Sequence, residues 1–238
     1  MNTIYFVGAG SGAADLITLR GVNVLAQAQV VLYDALINHG VLAHAHPDAL
    51  MIDVGKRGNK CESKKQTEIN AQLIHYGLQY ARVVRLKGGD PAIFGRLDEE
   101  IDAVLSVGLD YEIVPGVSSA LAAAASAKTA LTKRGIARSV RLLTASVGQD
   151  QPDNLWQAHI APSETLVFYM GGQHRQAIAQ TLLQKGFDSN TPVVMVYGAS
   201  WTDETIIRLN LQQMAAEYFE QPNTDAPCII LVGKGLRV

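Results

Sequence analysis

The sequence predicts an α/β protein made of two α/β lobes with a ligand cleft between them, and three observations carry that prediction. Short apolar runs rich in β-branched residues alternate with stretches whose apolar residues recur three and four apart, the pattern of a parallel sheet covered by helices. Pro115-Gly116, followed by the small-residue run SSALAAAASA, breaks that alternation near the middle of the chain. Beyond the break, Val193–Val196 and Ile206–Leu209 stand too close for an intervening helix, so they predict a hairpin and a mixed sheet. The expected domains are an N-terminal lobe over 1–114 and a C-terminal lobe over 115–238.

In the first lobe, strands are expected near Ile4–Val7, Val30–Tyr33, Met51–Val54, Val83–Leu86 and Tyr111–Val114. Helices fit between them at Leu16–Ala28, Lys65–Tyr80 and Glu99–Val107. In the second lobe, strands are expected at Val140–Thr144, Leu166–Tyr169, Val193–Val196, Ile206–Leu209 and Cys228–Val232, with helices near Gln173–Lys185 and Leu211–Phe219.

Composition excludes several function classes. With 238 residues, 48% of them hydrophobic and 18% charged, the chain can bury a sizeable core. Its longest apolar stretches, Leu121–Ala127 and Thr165–Met170, fall short of the roughly 20 residues of a membrane span, so no membrane insertion is expected. The start, MNTIYFVGAG, has no basic region followed by an apolar run, which predicts a cytoplasmic protein. Cys61 and Cys228 lie far apart without metal or redox spacing, in keeping with a reducing compartment. A formal net charge of −2 gives no general basic field and argues against nucleic acid as a partner. His44 and His46 have no further clustered ligands, so no metal site is expected.

Two glycine clusters carry the chemistry. Ile4–Val7 runs into Gly8-Ala9-Gly10-Ser11-Gly12-Ala13, and Asp34 ends a second strand at the distance where a dinucleotide-binding unit places its acid. On pattern alone this suggests NAD, and the alternative is a tight strand-to-helix turn. The second cluster, Arg85-Leu86-Lys87-Gly88-Gly89-Asp90-Pro91-Ala92-Ile93-Phe94-Gly95-Arg96, combines paired glycines, an acid, a stiffening proline and flanking cations at the carboxyl end of a strand. Sheets of this class bind ligands there.

From this point the chain resembles the uroporphyrinogen-III C-methyltransferases, within the tetrapyrrole methylases of the class III methyltransferase fold. The resemblance rests on VGAGSGAADLITLRG at 7–21, VVLYDALI at 30–37, VGKRG at 54–58, VVRLKGGDPAIFGR at 83–96, IVPGVSSALAAAASAKTALTKRGIARSV at 113–140, TLVFYMGG at 165–172 and PCIILVG at 227–233. It implies S-adenosylmethionine as methyl donor, S-adenosylhomocysteine as by-product, and methylation of uroporphyrinogen III to precorrin-1 and then precorrin-2, on the way to siroheme, cobalamin or heme d1. Carried over, the donor contacts are Ser11, Gly88, Gly89, Asp90, Ile93, Ser118, Ser119, Met170, Ala199, Ala226 and Pro227. The resemblance makes Asp34 the proton acceptor and Lys56 the proton donor. A carboxylate-rich substrate calls for cations, and Arg96, Lys133, Arg134 and Arg138 lie in the matched motifs, with Glu99 touching substrate or orienting Arg96. A homodimer is implied as well. The chain departs from the family's GPGDPELLT loop by losing two prolines and an acid, and it places Leu97 and Asp98 where two glycines are common, which predicts a bulkier, more acidic rim.

Overall fold

The structure, a computed structural model, describes residues 2–55, 66–145, 155–217, 222 and 224–237. It divides into two compact units, Met1–Ser119 and Ala120–Val238.

The first unit holds five parallel strands, β1 (Thr3–Gly8), β2 (Val30–Tyr33), β3 (Leu50–Asp53), β4 (Arg82–Lys87) and β5 (Asp110–Val114), in the order β3-β2-β4-β1-β5. Parallel strands covered on both faces must be apolar on both. Accordingly Ile4, Phe6, Val30, Leu32 and Val83 pack into one buried cluster, and Val7, Val31, Val84 and Leu86 into another. Helices α1 (Leu19–Leu25), α2 (Gln66–Gln79) and α3 (Leu97–Leu105) cover the sheet. From β1 the chain passes beyond β4 to β2, whereas from β4 it passes beyond β1 to β5. The loops leaving β1 and β4 therefore part at adjacent strand ends, the switch point where such sheets bind ligands.

The first helix is shorter than its periodicity predicts. Thr18 is extended and its hydroxyl accepts from Gly21 N at 3.1 Å, so α1 starts only at Leu19, after a separate 3-10 turn at Ala14–Leu16. Leu97 also departs from expectation. It opens α3 and is buried in the core rather than adding bulk to a rim, while Asp98 is exposed.

The second unit carries β6 (Val140–Thr144), β7 (Thr165–Tyr169), β8 (Pro192–Tyr197), β9 (Thr205–Asn210) and β10 (Cys228–Val232), ordered β6-β7-β10-β8-β9. Only β6 and β7 run parallel, and β8–β9 is the expected hairpin. Helices α4 (Ser119–Ser126), α5 (Arg175–Gln184) and α6 (Leu211–Ala215) complete it. Its core gathers Phe168, Ile178, Leu182, Met195 and Ile230, with Trp156 edge-on to Phe168 at 4.9 Å. The expected helix to Phe219 stops at Ala215 because Ala216 turns extended (ψ 141), and Phe219 lies outside the described residues. Among the described residues, no helix is long and apolar enough to cross a membrane.

Candidate functional site

At the carboxyl edge of the first sheet, the two glycine clusters are hydrogen-bonded to each other. Gly89 N donates to Gly10 O at 2.7 Å, Gly10 N to Gly89 O at 3.3 Å, and Ala9 N to Lys87 O at 2.8 Å. The Ala9 and Gly10 amides at the first turn are thus already engaged, and α1 begins only at Leu19. This geometry argues against the NAD reading, because a phosphate there would need both free N–H groups and the start of a helix. Asn38 Nδ2 also donates to Gly12 O at 2.9 Å and holds the loop that lacks the family's prolines.

Asp90 ties the second cluster to the loop after β5. Its Oδ1 accepts from Ala92 N at 2.9 Å and its Oδ2 from Gly116 N at 3.0 Å, while Ile93 N donates to Asp90 O at 3.2 Å. Gly116 lies against bare backbone: a Cβ on it would stand 2.2 Å from Gly89 O and 2.8 Å from Gly8 Cα. Gly89 differs. Its φ is +69°, and a Cβ on it would meet nothing nearer than Ser119 N at 3.8 Å and Ser118 Cα at 3.9 Å. The result is a backbone cradle walled by Gly88, Gly89, Ser118 and Ser119, all half-buried, with Ser11 half-buried in the loop joined to it through Gly10. A Cβ on Gly89 would stand in ordinary van der Waals contact with Ser118 and Ser119, so its absence lets another group approach the Gly89 backbone closely.

Asp34 follows β2 on the same edge, where its amide donates to Leu86 O at 3.3 Å. Its Oδ1 accepts from Arg85 Nη2 at 2.6 Å. Arg85 Nε reaches Glu100 Oε1 at 3.1 Å, and Lys87 Nζ reaches Glu100 Oε2 at 2.9 Å. Arg85, Lys87 and Glu100 are buried, and the Asp34 side chain alone in this chain of charges is 29% exposed. Burial works against the Arg85 charge, but Asp34 and Glu100 outweigh it and hold the guanidinium above its ordinary pKa. Burial and then the Arg85 charge push Lys87 below its ordinary value despite Glu100. Lys56 lies outside the described residues.

Arg96 and Glu99 form a two-pronged pair, Nε–Oε1 2.7 Å and Nη2–Oε2 2.8 Å, with both side chains more than half exposed. That hydrogen bond holds Arg96 above, and Glu99 below, its ordinary pKa. Within the second unit, Lys133 N and Ala137 N each bond back across a tight turn at 2.8 Å, leaving Lys133, Arg134 and Arg138 exposed. None of these three has a carboxylate partner among the described residues.

The other expected donor contacts of the second unit gather at one end of its sheet. Met170 follows β7 in a left-handed conformation (φ 53°) and is 54% exposed. Gly198 N donates to Pro227 O at 2.9 Å and brings Ala199, after β8, next to Ala226 and Pro227, before β10. Behind them, burial raises the Tyr197 phenol and pushes the Cys228 thiol up to about 12, so neither is an ionised nucleophile near neutrality.

Sequence reasoning singled out Glu99 and passed over Glu100. The signal was present, since Glu100 shares the buried face of α3 with Leu97 and Val104, and Arg85 and Lys87 alternate with the apolar Val84 and Leu86 in β4.

The chain matches the family model "Tetrapyrrole (Corrin/Porphyrin) Methylases" over residues 3–215. It is 37% identical over 235 residues to a uroporphyrinogen-III C-methyltransferase of Synechocystis sp., covering 98% of this chain and 89% of that protein. It is 38% identical over 234 residues to a siroheme synthase of Pseudomonas fluorescens, covering 97% of this chain and 49% of the relative, so it spans about half that protein's length. Among solved structures it is similar to a uroporphyrin-III C-methyl transferase from Thermus thermophilus complexed with S-adenyl homocysteine, with a TM-score of 0.83 and 34% identity, covering 98% of this chain and 92% of that one.

Proposed function

The chain belongs to the tetrapyrrole (corrin/porphyrin) methylase family, and on that premise we propose that it C-methylates uroporphyrinogen III to precorrin-1 and then precorrin-2. The observation that carries the reading is the cradle at Gly88–Gly89 and Ser118–Ser119 beside a carboxylate, Asp34, held on a buried arginine. S-adenosylmethionine, when bound, supplies an electrophilic methyl group on a sulfonium.

The chain's own residues do the rest. On the resemblance, Ser11, Gly88, Gly89, Asp90, Ile93, Ser118, Ser119, Met170, Ala199, Ala226 and Pro227 are assigned as donor contacts; positioning supplies much of the acceleration in such a transfer. Arg96, Lys133, Arg134 and Arg138 bind substrate carboxylates, with Glu99 orienting Arg96. When the S–CH3 bond of the donor breaks and the methyl joins a pyrrole carbon that already bears a side chain, S-adenosylhomocysteine leaves and that carbon becomes quaternary in a cationic macrocycle; Asp34 then accepts a proton from a neighbouring bridging carbon, whose C–H bond breaks as an O–H bond forms and whose electron pair neutralises the ring. Lys56 is assigned as proton donor on the resemblance alone. A homodimer is proposed on the same ground, and a cytoplasmic location on the two cysteines that lie far apart without redox spacing.

Two titrations and a panel test this reading. S-adenosylhomocysteine should bind in calorimetry while NADH gives no heat; the reverse would put the chain among oxidoreductases. In anaerobic assays across several tetrapyrroles, uroporphyrinogen III should be the preferred acceptor. Preference for a later cobalamin precursor would move the chain to a sibling activity, and binding without donor consumption would make it a tetrapyrrole-binding protein.

A further inference from the structure

We propose that Glu100 is a positioning residue for the proton-transfer step, clamping Arg85 and Lys87 from within the core so that the Arg85 guanidinium is held edge-on to Asp34. The inference rests on the reading of Asp34 as proton acceptor.

Glu100 is 0% exposed, and a carboxylate so placed is costly unless paired. Here both oxygens are engaged: Oε1 accepts from Arg85 Nε at 3.1 Å and Gln66 Nε2 at 3.2 Å, and Oε2 from Lys87 Nζ at 2.9 Å. The guanidinium in turn is pinned at all three nitrogens, through Nε to Glu100, Nη1 to Leu86 O at 3.2 Å and Nη2 to Asp34 at 2.6 Å. It cannot rotate without breaking several of these bonds. Arg85 occupies Asp34 Oδ1, and Oδ2 has no partner among the described residues, which leaves that oxygen for an incoming proton.

Stability alone does not require the arrangement. Buried ion networks are often replaceable by apolar side chains of similar volume without loss of stability. The neighbouring β4 positions Val83, Val84 and Leu86 already follow the apolar solution. Two cations and two acids instead form one line running from the core to the half-exposed Asp34, and that is the group whose orientation the chemistry needs.

The test is kinetic. Glu100→Gln should lower kcat on the order of 100-fold and leave KM for donor and for uroporphyrinogen III within about twofold, because binding groups are untouched. If Glu100 acts through Asp34, the same change made in an Asp34→Asn background should cost nothing further, read by single-turnover transfer of labelled methyl. Turnover of Glu100→Gln within about threefold of wild type, or an undiminished loss in the Asp34→Asn background, would overturn the proposal. Should Glu100→Gln not fold, Lys87→Met/Glu100→Gln removes the charges as a pair, leaving Arg85 with Asp34 as counter-charge. That variant should show the same loss of kcat, and wild-type kcat in it overturns the proposal. Wild-type turnover by Asp34→Asn removes the underlying reading and the proposal with it, whereas an impaired Asp34→Asn beside an unaffected Glu100→Gln removes the proposal alone.

Discussion

Gly116→Ala is expected to weaken S-adenosylhomocysteine binding by at least about tenfold, roughly 1.4 kcal/mol, and to lower stability by about 1–3 kcal/mol. The new Cβ would stand 2.2 Å from Gly89 O and 2.8 Å from Gly8 Cα, so no side-chain rotation relieves the clash and the three loops must separate. Their separation opens the Gly10–Gly89 pair and the Gly116 N to Asp90 bond, the two links that shape the cradle. Gly108→Ala is the control. Gly108 has a positive φ, +74°, and a Cβ there meets nothing within 4 Å, so it should cost about 1–2 kcal/mol of strain and leave the affinity unchanged. Calorimetric titration and thermal unfolding of both variants check this, with a Tm drop of roughly 2–12 °C for Gly116→Ala. Equal affinity in the two variants would mean that the cradle is not where the donor binds.

Asp34→Asn should reduce turnover by about 10²- to 10⁴-fold, the usual contribution of a positioned general base. The amide keeps the carboxylate's shape but cannot take the proton. Arg85 retains Glu100 as counter-charge, so the protein should still fold, at a stability cost of about 1–3 kcal/mol. Binding of S-adenosylhomocysteine should be unaffected, which separates lost chemistry from lost structure. Steady-state assays with anaerobic uroporphyrinogen III measure it, and near-wild-type turnover would show that another group removes the proton.

The strands of the first sheet were legible in the sequence because a parallel sheet buried on both faces demands continuous β-branched and aliphatic runs, and Val30–Tyr33 matches its observed bounds. Helix ends were less legible. The Thr18 cap decides where α1 starts, and the extended Ala216 decides where α6 stops, against a periodicity that runs on past both. Motif order made the cradle residues readable as a set, but not why the first glycine turn is unsuited to NAD. That depends on Gly10 pairing with Gly89, a contact between segments far apart in sequence. Glu100 was missed for a related reason. Next to Glu99 it reads as one more acid in a helix's first turn, and only the packing of α3 shows that Glu100 faces the core and Glu99 faces solvent.

The most direct test of the account is the methyl stoichiometry of a single reaction. Incubated anaerobically with uroporphyrinogen III and methyl-labelled S-adenosylmethionine, the protein should yield a tetrapyrrole carrying two labelled carbon-bound methyl groups, with one S-adenosylhomocysteine released for each. A protein that binds S-adenosylhomocysteine yet leaves uroporphyrinogen III unmethylated would contradict it.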